Sequence, residues 1–177
     1  MILAQRDLLT QDGYDRYDRL LKLLRDPLSM ESKISFESCL AKQKQLKLLF
    51  EQLSTSEQKY QKIIELGQSL PFFSDAYKLP ENLVKGCQSQ MHLHAQLSSE
   101  GKIIFTAHSD ALISRGLAAL LIAIYTDEFP EVVLTCPPSC LEAIGIQSSL
   151  SPSRSNGLAS LQLRMKQEAL KLLQSKM

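Results

Sequence analysis

The sequence has no long hydrophobic run, no excess of either charge and no secretory leader pattern, and each lack narrows what the chain does. Its longest apolar stretch, Gly116 to Tyr125, falls far short of the roughly 20 residues that span a bilayer, so it reads as a buried helix. Twenty Lys and Arg residues against nineteen Asp and Glu leave a formal charge of +1. No basic stripe interleaves with aromatics either, so a nucleic-acid partner is not expected. The opening MILAQRDLLTQDGYDRYDRL carries acids early and lacks a cationic start followed by an apolar core, which predicts no secretory leader. Four cysteines in such a chain imply reduced thiols and a cytoplasmic setting. Repeats and low-complexity tracts are absent. With 44% hydrophobic and 22% charged residues, the 177-residue chain has the composition of an ordinary globular protein, one domain with an appendage.

What is present reads first as helix. Leu20, Leu21, Leu23 and Leu24 cluster, Asp26-Pro27 interrupts, and Leu40, Leu46, Leu48, Leu49 and Leu53 resume with near-helical spacing. Ser54-Thr55-Ser56-Glu57 puts a hydroxyl at an N-cap with a carboxylate three residues on, a capping box ahead of Tyr60, Ile63, Ile64 and Leu66. Gly67 and Pro71 are expected to end that helix, and residues 68–86 to form a loop punctuated by Pro71, Pro80 and Gly86. After Cys87 the period becomes two: Met91, Leu93, Ala95 and Leu97 alternate with Gln90, His92, His94 and Gln96. A turn at residues 98–101 and a strand over residues 102–106 complete a hairpin. Ser109-Asp110 is expected to cap a helix from Ala111 to Tyr125, and further helices are expected over residues 138–144 and from Asn156 to the C-terminus. Helices, a small antiparallel sheet and helices again make the fold class α+β.

Within LVKGCQSQ, residues 83–90, Cys87 stands out because a free cysteine usually serves as a small buried hydrophobe, yet Lys85, Gly86, Gln88 and Ser89 flank this one. A thiolate is the nucleophile of sulfur exchange, and a neighbouring cation such as Lys85 lowers a thiol's pKa. Gly86 gives the loop backbone angles closed to other residues. The alternative is a buried structural cysteine. Cys136-Pro-Pro-Ser-Cys140 has a C-x₃-C spacing of little specificity with no second pair to complete a zinc site, so these two thiols read as incidental. His92 and His94 occupy the polar face of the first strand, where histidines are ordinarily surface residues. Arg154 opens a helix, where the dipole favours acids. It therefore answers to something outside that helix, or forms a surface salt bridge worth little.

Four blocks, YQKIIELGQSLP, LPENLVKGCQSQ, SDALISRGLAALLIAIY and LSPSRSNGLASL, resemble in order the successive blocks of the SufE family of sulfur-acceptor proteins over about residues 43–177. The resemblance implies the fold shared with IscU-type iron–sulfur scaffolds. It implies the transfer of sulfur from a PLP-dependent, SufS-like cysteine desulfurase, with stimulation of that enzyme, to a SufBCD-like scaffold complex, and no cofactor or metal held by the protein itself. Such a chain is a sulfur carrier more than an enzyme in its own right. On this resemblance Cys87 is the residue that becomes a persulfide, Arg154 holds the cysteine loop or contacts the desulfurase, and the region of Asp110 restrains that loop. The family pattern carries a large aromatic near His92, which this sequence lacks.

Two other readings stand beside it. An iron–sulfur scaffold would need about four ligands, and Cys39, Cys87, Cys136 and Cys140 show no recognised spacing. A purely allosteric desulfurase activator would need no thiol. Residues 1–42, expected as a helical N-terminal extension to a sulfur-acceptor domain over residues 43–177, lie outside the resemblance. They would pack on the domain, join two copies as a homodimer or touch a partner, packing being the default.

Overall fold

The alternation that starts at Met91 becomes strand β1, Met91–Leu97, in a computed structural model that describes residues 35–146 and 150–175. Its antiparallel partner β2, Ile103–Ser109, runs three residues past the expected end. The register pairs Leu93 with Ala107 and Ala95 with Phe105 on one face, His92 with His108 and His94 with Thr106 on the other. Because side chains alternate, the first set faces the core and the second faces away. A further bridge joins Ile103 to Glu128 and widens the sheet edge.

Before the hairpin come helices α1, Glu37–Glu51, and α2, Ser56–Gln68. After it come α3, Leu112–Tyr125, the short α4, Pro130–Thr135, and α5, Cys140–Ala143, then the long α6, Pro152–Gln174. This is the α+β class expected. The expectations for Leu20 to Leu24 and Asp26-Pro27 lie outside the described residues, and the expected boundary between residues 42 and 43 falls inside α1. Among the described residues no helix is long and apolar enough to cross a membrane.

Three local readings need adjustment. The capping box is real but sits one residue later: Thr55 Oγ1 accepts from Gln58 N–H at 3.2 Å, while Gln58 Oε1 accepts from Thr55 N–H at 3.1 Å. A glutamine amide oxygen serves the box as well as a carboxylate, so the box forms where both partners meet. α2 ends at Gln68, between Gly67 and Pro71 as expected, but Gly67 is still helical and buried in the last turn, where a Cβ would meet Gly116 N of α3 at 2.7 Å. Reciprocally, a Cβ on Gly116 would stand 2.2 Å from Ile63 O, so the two helices touch backbone to backbone. The third concerns α1, whose buried face is Cys39, Gln43, Leu46 and Phe50, while Leu40 and Leu48 are exposed.

The core forms where the inner sheet face, with Met91, Leu93, Ile103 and Phe105, meets α3 and α6 through buried residues such as Leu120, Ile124, Leu161 and Met165. Full burial of each such side chain is worth about 1.5–3 kcal/mol. Lys42 adds a polar fastening: its Nζ donates to Glu128 Oε1 at 2.7 Å and Thr126 O at 2.6 Å, neutralising a buried carboxylate.

Candidate functional site

The chain ahead of β1 closes a small loop. Val84 N–H donates to Met91 O at 2.8 Å, and both side chains are buried, so residues 85–90 stand out from a fixed neck. Gly86 turns this loop with φ +87°, in the left-handed region that glycine occupies without strain. A Cβ there would also meet Ser160 Oγ of α6 at 2.7 Å, a hydroxyl that can rotate aside, so the backbone angle is what calls for glycine. The turn directs Cys87 onto the first turns of α6, where its thiol donates to Gly157 O at 3.6 Å. Gly157 makes the room, since a Cβ on it would lie 3.0 Å from Cys87 Sγ. Beside the cysteine, the Ser153 hydroxyl donates to Gln88 Oε1, tying the loop to the helix a second time.

Cys87 lines an open cavity of about 570 Å³ with Asp110, Arg154, Ser114 and the buried Leu117 and Leu161. Of the residues singled out in the sequence, the cavity brings together Cys87, Asp110 and Arg154; Gly86 shapes the approach and Lys85 lies outside the lining, exposed. The expectation that polar neighbours leave Cys87 without a buried setting is corrected. The thiol is half-buried, and that burial pushes its pKa up from the ordinary thiol value, with Ser89 acting weakly in the other direction. Lys85 is not among the influences on it. In this conformation Cys87 is a protonated, restrained thiol at neutral pH.

Asp110 is not the cap of α3. Ser109 is buried and its Oγ accepts from Ala111 N–H at 3.3 Å, while Asp110 lines the cavity and, among the described residues, its Oδ1 accepts only from the Ser109 hydroxyl at 3.5 Å. Arg154 is exposed in the first turn of α6 and makes no ion pair or hydrogen bond among the described residues. Sequence reasoning missed Gly157. A glycine inside a helical pattern costs about 1 kcal/mol against alanine, and that cost was the available signal of a close approach.

The other thiols gather elsewhere. Gln43 Nε2 lies 3.6 Å from both Cys39 Sγ and Cys136 Sγ and donates to Pro137 O at 3.0 Å, while its Oε1 accepts from Cys140 N–H at 3.1 Å. All three cysteines are buried, and burial pushes the Cys136 thiol up to about 12 and the Cys140 thiol to about 11. Such thiols are inert. Cys136 follows α4 and Cys140 opens α5, and both are buried in the core. Among the described residues no three of His, Cys, Asp and Glu converge as a metal-ligand set.

The histidines are not a bare solvated face either. Tyr77 stacks on His94 with centroids 3.7 Å apart, and Phe73, itself buried, stacks on His108 at 6.1 Å and lies 6.4 Å from His92. Phe73 and Tyr77 thus cover the histidine face of the hairpin.

A family model described as "SufE: Fe-S metabolism associated domain" matches residues 44–169, the stretch that carries the loop, the cavity and most of the core. The chain belongs to the SufE family. SufE membership places it in iron–sulfur metabolism. SufE-like protein 1, chloroplastic/mitochondrial, of Arabidopsis thaliana is 34% identical over 124 residues, which cover 70% of this chain and 33% of that protein. The match therefore spans about a third of that relative's length. The solution structure of a hypothetical protein from Thermus thermophilus superposes with a TM-score of 0.64 at 29% identity, covering 75% of this chain and 96% of that one. Cys87, Asp110 and Arg154 all lie inside the SufE match, whereas Cys39 and Gln43 precede it.

Proposed function

We propose that this SufE-family protein is a sulfur acceptor for iron–sulfur cluster assembly, taking sulfur from the persulfide of a PLP-dependent cysteine desulfurase onto Cys87, stimulating that enzyme and passing the sulfur to a cluster scaffold. One observation carries the reading: of the four thiols, Cys87 is the one on a glycine-turned loop beside an open cavity, while Cys39, Cys136 and Cys140 are buried. In the transfer, the Cys87 thiolate attacks the terminal sulfur of the desulfurase persulfide. The old S–S bond breaks with its electron pair on the desulfurase cysteine, which takes up the proton Cys87 lost, and a new S–S bond leaves Cys87 as the persulfide.

Burial holds the resting thiol protonated, so the loop carries Cys87 outward, pivoting at Gly86, and its return to water lowers the thiol's pKa. Resting burial then protects the thiol between transfers. Lys85, exposed on the same loop, offers charge to the partner surface, and Asp110 and Arg154 flank the path. The chemistry requires a reduced Cys87, which suits a reducing compartment such as the cytoplasm. Incubating desulfurase and ³⁵S-cysteine with wild type or Cys87→Ser tests the reading. Wild type takes up label and raises desulfurase turnover, and the variant folds but takes up none. Label retained by the variant would overturn the assignment; undiminished stimulation by an unlabelled variant would replace it with allosteric activation.

A further inference from the structure

The Cys87 cavity carries two opposite charges that are not spent on each other. Asp110 and Arg154 both line it and both are exposed, yet they make no ion pair among the described residues. Arg154 adds a positive charge at the positive end of the α6 dipole, and Ser151, the N-cap, gives its first turn no side-chain acceptor. A guanidinium beside uncapped N–H groups is a setting that a carboxylate would relieve. Asp110, released from capping by Ser109, is the complementary acceptor for an ammonium group. The same cavity is also lined by the buried Met91 and Leu161 and by Cys87. A volume of about 570 Å³ falls within the range of pockets that hold small molecules.

We infer that this cavity binds a free sulfur-bearing α-amino acid as its zwitterion, carboxylate on Arg154 and ammonium on Asp110, and that Cys87 exchanges sulfur with cysteine persulfide bound there without a desulfurase. The inference rests on the reading of Cys87 as a sulfur acceptor and names a small-molecule substrate for the same thiol. The Cys87 thiolate attacks the terminal sulfur of cysteine persulfide, and the S–S bond of the donor breaks. The electron pair leaves on the cysteine sulfur, which takes up the proton lost by Cys87, so free cysteine departs and Cys87 is the persulfide. No oxidant or reductant is consumed. A persulfide on a protein has neither free α-group, so the two charges distinguish the free amino acid from a protein-borne donor.

The test uses the full chain with two donors of equal net charge, cysteine persulfide and the persulfide of N-acetylcysteine methyl ester, and reads sulfur added to the Cys87 peptide by mass spectrometry. Wild type is expected to load from the zwitterion about tenfold faster at low donor concentration, the size of effect that one charge-assisted contact supports. In Arg154→Gln and Asp110→Asn, checked for unchanged melting, that preference collapses toward one. A parallel arm loads Cys87 from desulfurase and cysteine. Loading by desulfurase without any zwitterion preference, or a preference kept by both variants, would overturn this inference and leave the acceptor reading standing. A Cys87 that takes sulfur from no donor in either arm would overturn both.

Discussion

Cys87 is held by three contacts of different kinds: a weak thiol hydrogen bond to Gly157 O, the space left by the missing Cβ of Gly157, and the Gln88 tie to Ser153. Burial raises its pKa, so the thiolate fraction at neutral pH is lower than for a free thiol with a pKa of about 8.5. Alkylation of Cys87 is therefore expected to be slower at pH 7 in the folded protein than after denaturation. Its rate should climb with pH, with a midpoint above the ordinary thiol value. A midpoint at or below that value would show a thiol already activated. Gly157→Ala should crowd the thiol out of its niche and speed alkylation at pH 7, and an unchanged rate would mean that the niche does not restrain it. Arg154→Ala removes an exposed side chain that makes no hydrogen bond or ion pair among the described residues, so melting should shift by no more than about 0.5 kcal/mol equivalent while desulfurase stimulation falls. Full stimulation in that variant would return Arg154 to an inert surface role. That Cys87 and Arg154 stand out was legible from residue type against neighbours, the thiol among polar residues and the cation at a helix start, and the fold brings both to one cavity. Thiol burial was not, because α6 reaches it from seventy residues along the chain.

At the scale of elements, the loop's neck depends on β1, and the cavity wall depends on α3 and α6 keeping their positions. The contact of α3 with α2 is set by Gly67 and Gly116, and Gly116→Ala would drive a Cβ into Ile63 O. Overpacking of this kind costs about 1–3 kcal/mol, read as a lower denaturation midpoint; an unchanged midpoint would show that the helices part without penalty. The sequence made the strands legible almost residue by residue, since period-two alternation is a local signal, and β2 ran on only because its last three residues find partners in β1. It hid the buried face of α1, because Gln43 is polar and its burial is justified only by partners at residues 136–140. The packing role of Gly67 was hidden for the same reason. A glycine that stops a helix and a glycine that admits a neighbour look alike until the neighbour is known. If the three buried thiols serve only packing, Cys136→Ala with Cys140→Ala should lower stability yet leave sulfur uptake by the folded protein intact; a loss equal to that of removing Cys87 would make them a relay.

For the molecule as a whole, the loop of residues 71–86 joins two places, the histidine face of the sheet and the cysteine loop, through the bridge between Leu83 and His92. The His108 pKa is lowered, first by burial and then by Lys78, Arg115 and His92, with Asp110 opposing. A histidine whose folded pKa lies below its unfolded value contributes stability that is complete above the unfolded value of about 6.5 and is lost as pH falls toward the folded one. Melting temperature should therefore drop between pH 7.5 and 5.5, and His108→Gln should flatten the drop. An equal drop in the variant would assign the effect to other groups.

The account stands on one thiol carrying the sulfur, and site-resolved mass spectrometry of the whole chain tests that most directly. After incubation with a cysteine desulfurase and cysteine, followed by alkylation and digestion, the added sulfur is expected on the peptide bearing Cys87, with Cys39, Cys136 and Cys140 unmodified. Sulfur found mainly on any of those three, with Cys87 unmodified, would contradict the account.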